Sequence, residues 1–151
     1  MTEPVRSIGG EPLTPGVDLA GLAMRTLGLG AALGSALQFV VLWGTRTLQH
    51  NAPPTDQPDV GGLFYFVIFG TMASMAVGGG TSWALLAPVG SPWRRAGLSA
   101  IAAFAALVAG AFAVPVDANL GPWALLGVAA LLGLLALWAG RMVSAWYRTQ
   151  G

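Results

Sequence analysis

Residues 118–140, ANLGPWALLGVAALLGLLALWAG, run for 23 positions without a charged side chain. A hydrocarbon core about 30 Å thick is crossed by about 20 mostly apolar helical residues. This one stretch is therefore long enough for a crossing. Three further gaps of the same kind precede it: 26–45 (TLGLGAALGSALQFVVLWGT, 20 residues), 60–93 (34 residues) and 96–116 (21 residues). The second gap is too short for two crossings and a turn, which together need over ~40 residues. It also carries its own stops at Gly61-Gly62 and between Pro88 and Pro92. Four helices are expected, with spans of about 27–45, 63–87, 97–114 and 122–140. The predicted fold is an all-α, integral membrane four-helix bundle.

The rest of the composition agrees. Of 151 residues, 55% are hydrophobic and 9% are charged. A soluble domain carries roughly 25% charged residues. Thirteen charges do not cover a water-soluble surface of this size. Transmembrane β-strands would need segments of about ten residues with alternating polarity, at least eight of them. These gaps are continuously apolar and number four.

The charges that remain mark the loops and tails. Residues 1–18 (MTEPVRSIGGEPLTPGVD) mix both signs with Pro and Gly, and read as a flexible cytoplasmic tail. They do not resemble a secretory signal peptide, which sets a basic region directly before an apolar core. The membrane domain is expected over 19–148, with Asp18 as a candidate cap and 19–26 as interfacial first turns. Loop 1 is RTLQHNAPPTDQPDV, loop 2 is PVGSPWRRAG and loop 3 is PVDANLGP. Pro122 suits the first position of the fourth helix.

Arginine sets the expected orientation. Cytoplasmic flanks carry excess Lys and Arg. Arg6, Arg25, Arg94, Arg95, Arg141 and Arg148 fall on one side, and only Arg46 on the other. Both termini are thus expected in the cytoplasm of a bacterial cell, with the protein in the inner membrane. The six Trp all fall near span ends, where a half-solvated ring belongs.

Small residues recur at four-residue steps. They are Gly30 and Gly34 in the first helix, and Gly70, Ser74, Gly78 and Ser82 in the second. Ala102, Ala106 and Gly110 form such a row in the third, and Ala136, Gly140 and Ser144 in the fourth. In lipid, close packing across such rows holds helices together. The rows are expected to pack within the bundle, or to meet another subunit. Gly78-Gly79-Gly80-Thr81-Ser82 admits two readings. One is a close helix crossing; the other is a broken helix whose freed carbonyls line a pore. Gln38 sits mid-span, and Thr71 or Ser74 is its expected partner.

Function is narrowed by what is missing. No Asp, Glu, Arg or His lies inside a predicted span, so charge-coupled transport lacks its usual machinery. A proton-coupled small multidrug exporter is similar in size and span count, but relies on a membrane-embedded Glu in its first helix. Here residues 27–44 offer only Ser35 and Gln38. The chain has no Cys and one His, His50, so no catalytic residue, cofactor or metal site is expected. His50, Asp56 and Asp59 in loop 1 lack a ligand-spacing motif and read as a solvated loop. Asp117 and Asn119 are expected to form a turn or cap before Pro122. A net charge of +1 offers nucleic acid no basic field.

The expected protein is a non-catalytic accessory or scaffold subunit, or a small homo-oligomer. Its partners would be the lipid bilayer and itself or a larger membrane complex. The alternative is a small channel or carrier for a neutral or weakly polar solute, formed at a subunit interface; Gly30, Gly34, Gln38, Gly70, Ser74, Gly78, Gly79 and Gly80 are the candidate helix-packing or pore-lining residues. The threading is directly testable. Single Cys probes at Thr55 and Ser91 are expected to react with impermeant thiol reagents from opposite sides of sealed vesicles, and same-side labelling refutes four spans.

Overall fold

The computed structural model describes residues 19–53, 60–87 and 89–150. The described chain is helical: α1 (Leu19–Asn51), α2 (Val60–Leu85), α3 (Pro92–Ala111), α4 (Ala113–Leu120) and α5 (Pro122–Gln150). Four stretches are long and apolar enough to cross a membrane: Ala20–Asn51, Gly62–Leu85, Pro92–Leu120 and Pro122–Trp146. They match the four expected crossings, with α3 and α4 forming the third between them.

Several boundaries differ from the sequence expectation. Helix α1 spans 33 residues, about 50 Å at 1.5 Å per residue. It continues through Arg46–Asn51, which the sequence reads as loop 1, and stops just before the Pro pair at 53 and 54. Helix α5 runs ten residues beyond the expected end at 140. Nothing in Arg141–Gln150 breaks a helix, since a charge ends a membrane crossing but not a hydrogen-bond ladder. The candidate cap Asp18 and the loop residues Asp56 and Asp59 lie outside the described residues.

The largest correction concerns loop 3. Residues 113–120 are helical, so Asp117 and Asn119 form no turn, although the Asn119 amide donates to the Pro115 carbonyl at 2.7 Å at the end of α4. Proline explains the break that precedes them. Pro115 has no N–H to give to the Ala111 carbonyl, so the α3 ladder ends there. Phe112 closes the end with a tighter bond to the Ala109 carbonyl at 3.2 Å. Pro115 then falls in the first turn of α4, where a missing donor costs little. The reversal happens at Gly121, with φ +82°, the one positive φ among the described residues. Its N–H caps α4 on the Asp117 carbonyl at 2.9 Å. Pro122 opens α5 directly afterwards, as the sequence implied.

Helix α1 is the hub. It packs along α2, α3 and α5, and α2 also packs along α3. Helix α5 lies against α1 and, at its start, against α4, with no extended packing on α2 or α3. One face of α1 therefore meets the α2/α3 pair and another meets α5. The α5 side is aliphatic and aromatic, with Phe39 packed among Ala113, Leu125 and Ala129. The α2/α3 side is built from small residues. A Cβ on Gly34 would lie 2.7 Å from both the Ala106 Cβ and the Ser74 carbonyl oxygen. Gly28 and Gly127, by contrast, face open space.

Gly34→Leu is accordingly expected to destabilise the fold in detergent by about 1–3 kcal/mol or more, the usual cost of overpacking, and so to lower the melting temperature sharply. Gly127→Leu is expected to leave it nearly unchanged. Equal effects from the two would contradict this packing.

Candidate functional site

The residues singled out by sequence converge on one seam. Helices α1 and α2 run antiparallel, so Gly30 and Gly34 meet Ser82, Gly78 and Ser74 in reverse order. A Cβ on Gly78 would come within 3.0 Å of the Gly30 carbonyl oxygen and 3.3 Å of the Ala106 Cβ. Gly70 closes the row against the Val41 side chain. Helix α3 covers the seam with Ala102, Ala106 and Gly110, all buried. The expected rows therefore pack against one another inside the chain.

Helix α2 runs unbroken through Gly78-Gly79-Gly80. The pore reading of this run required a break that the structure does not contain. Each glycine has a separate situation. Gly78 faces α1, and Gly79 faces α3, where a Cβ would sit 3.3 Å from the Ala103 Cβ and the Ser99 carbonyl oxygen. Gly80 is exposed, with nothing within 4 Å of the position a Cβ would occupy. It lies in a second small-residue row on the far side of α2, with Ala76 and Ala84 also exposed.

The polar groups of the seam are mostly occupied by backbone. The Ser74 hydroxyl donates to the Gly70 carbonyl at 2.8 Å, and Thr45 donates to Val41 at 2.6 Å. Ser35 donates to Ala31 at 2.6 Å and lies 3.5 Å from the Ala106 carbonyl of α3. Ser82 makes the strongest hydroxyl link between helices, donating to the Thr26 carbonyl of α1 at 3.0 Å. The Thr26 hydroxyl sits 3.0 Å from both the Leu22 and Ala23 carbonyls.

Gln38 departs from expectation. It turns to α3 rather than α2, so neither Thr71 nor Ser74 receives it. Its amide lies across Gly110, in the space that a Cβ there would take. The side chain is buried, and Oε1 has no hydrogen-bond partner. An unpaired amide oxygen in an apolar site costs rather than contributes stability.

Each end of the helices has its own chemistry. At one end the Arg46 guanidinium meets the Asp117 carboxylate at 2.8 Å, joining α1 to α4. Trp43 and Trp123 meet at the same end with centroids 6.0 Å apart and ring planes tilted by 59°. A small cavity of about 220 Å³ there is lined by Arg46, Gln49, His50, Asp117 and Pro122. At the other end Arg95 of α3 donates to the Trp83 carbonyl at 2.7 Å and lies 4.4 Å over its ring. A cation thus caps the last turn of α2, where the helix dipole is negative. Arg25 lies 5.5 Å over the Trp146 ring, joining the start of α1 to α5.

Sequence reading missed the Arg46–Asp117 pair, although it placed both on one side. Arg46, the one cation of that side, and Asp117, the one acid of loop 3, were the available signal. Among the described residues, no group of three His, Cys, Asp or Glu is placed to hold a metal. In comparisons with known proteins, no family model, curated protein or solved structure matches this chain.

Replacing Gln38 by Met keeps its shape and removes the orphaned oxygen. Gln38→Met is expected to leave stability unchanged or raise it by up to about 1 kcal/mol, read as an equal or higher melting temperature. A clear loss of stability would show that the amide is bonded after all.

Proposed function

We propose that this chain is a multi-pass integral protein of a bacterial inner membrane, with both termini cytoplasmic. It acts as a non-catalytic accessory or scaffold subunit, assembled with itself or within a larger membrane complex. The observation that carries this reading is how the buried polar groups are used. Thr26, Ser35, Thr45 and Ser74 are turned to carbonyls of their own helix, and Ser82 to one of α1. No described hydroxyl pairs with a base, so no activated nucleophile is built among them.

The glycine seam supports the same conclusion. Side by side, Gly30, Gly34 and Gly78 leave no room for a methyl group, and so no path for a solute along that face. The channel alternative places its path between subunits, outside this seam. Assembly draws support from the outer row of α2. Ala76, Gly80 and Ala84 form a smooth exposed strip, the kind of surface on which a second helix approaches closely in lipid. Exposed apolar side chains precede it on α2 at Phe66, Phe69 and Met72, and Val77 and Trp83 are exposed beside it.

Extraction in a gentle detergent followed by light scattering tests the proposal. The expected particle is an oligomer, or carries a co-purifying membrane partner, and Gly80→Leu shifts it to a smaller size while the fold persists. A strictly monomeric particle without a partner contradicts the scaffold role. Flux of a neutral solute through reconstituted liposomes would favour the channel instead.

A further inference from the structure

The Arg25 end of the α1/α5 contact holds an apolar groove of about 440 Å³. Met24, Gly28 and Leu29 of α1 form one wall, and Trp138, Ala139 and Met142 of α5 the other. Leu29 is buried at its floor, while Met24, Trp138 and Met142 stand exposed at its edges. Gly28 leaves the space open, with nothing within 4 Å of where its Cβ would project. The one charged group on the groove is Arg25. Its guanidinium is exposed at the rim and set over the Trp146 ring. A guanidinium set over an aromatic face, 5.5 Å from its centroid, still has N–H donors to offer an anion.

The surrounding charge is one-sided. Arg94, Arg95 and Arg141 lie at the same end. Asp117 is the only acidic side chain among the described residues, and it sits at the opposite end against Arg46. A groove with apolar walls and a lone guanidinium at its mouth matches a ligand with an apolar chain below an anionic head.

We infer that this groove binds one anionic glycerophospholipid, with its acyl chain between Met24, Leu29 and Met142 and its phosphate on Arg25. The inference rests on the membrane reading above. The site gives the bundle a preference for membranes rich in acidic lipid on the Arg25 side. One cation near the headgroup region corresponds to about a fivefold preference.

The test uses the full chain in mixed micelles with equal amounts of phosphatidylglycerol and phosphatidylcholine of matched acyl chains. Bound lipid is counted by native mass spectrometry. Phosphatidylglycerol is expected to be enriched about fivefold on the wild type, and Arg25→Gln to bring the ratio near one. Arg25→Lys is expected to keep most of the preference. Gly28→Leu, which fills the groove, is expected to lower retention of both lipids. Arg94→Gln, exposed at the same end but off the groove, is expected to leave the preference intact.

Equal retention by the wild type overturns the inference, as does a preference that survives Arg25→Gln. Loss of preference in Arg94→Gln to the same degree would mean a diffuse surface field and also overturns it. Displacement of the lipid by inorganic phosphate would assign a free-anion site instead, and a dimer closing over an empty groove would assign a second copy. None of these results touches the membrane reading, which fails separately if the chain stays in solution without detergent.

Discussion

The backbones of α1 and α2 approach until the Gly78 Cα faces the Gly30 carbonyl, and everything else is arranged around that closeness. A Cβ on Gly78 would stand 3.0 Å from that oxygen, and one on Gly34 2.7 Å from the Ser74 carbonyl. Only glycine permits this at both positions. In lipid there is no gain from burying apolar surface away from water, so dispersion contacts and hydrogen bonds between helices carry association. Close approach multiplies both. It brings the Ser82 hydroxyl to the Thr26 carbonyl at 3.0 Å, and it lets α3 lay Ala102 and Ala106 over the same seam.

The consequence is an asymmetric bundle. Helix α1 uses its small-residue face for α2 and α3 and its Phe39 face for α5. With α5 bound mainly through α1, two terminal fastenings matter. The Trp43–Trp123 pair and the Arg46–Asp117 bridge close one end, and Arg25 over Trp146 closes the other. Between these fastenings α1 and α5 stay in contact, with Leu29 against Gly140, and the groove beside Gly28 lies on the outer side of that contact.

Much of this was legible before any coordinates. The thirteen charges divide the chain into four uncharged gaps, and the four apolar helices fall on them. The rows beginning at Gly30 and Gly70 were readable because a four-residue step is one face of a helix. Other features were hidden for physical reasons. Pro115, Asp117, Asn119 and Gly121 are turn-formers by type, yet Pro115 opens a new helix and only Gly121 turns. Gln38 and Ser35 both lie on the part of α1 that α2 and α3 share, and periodicity does not say which neighbour a side chain meets. The central place of α1 was equally hidden, because periodicity gives the faces of each helix but not the neighbours it acquires.

The central claim is that α1 touches all the other spans while α2 and α5 stay apart. The chain has no native cysteine, so paired-cysteine cross-linking in native membranes reads this directly. Disulfides form only where Cα atoms lie within about 7 Å. Thr26 with Ser82, Ser35 with Ala106 and Leu29 with Gly140 are predicted to cross-link within one chain, and Ser82 with Gly140 is not. Efficient Ser82–Gly140 cross-linking together with a silent Leu29–Gly140 pair would contradict the account.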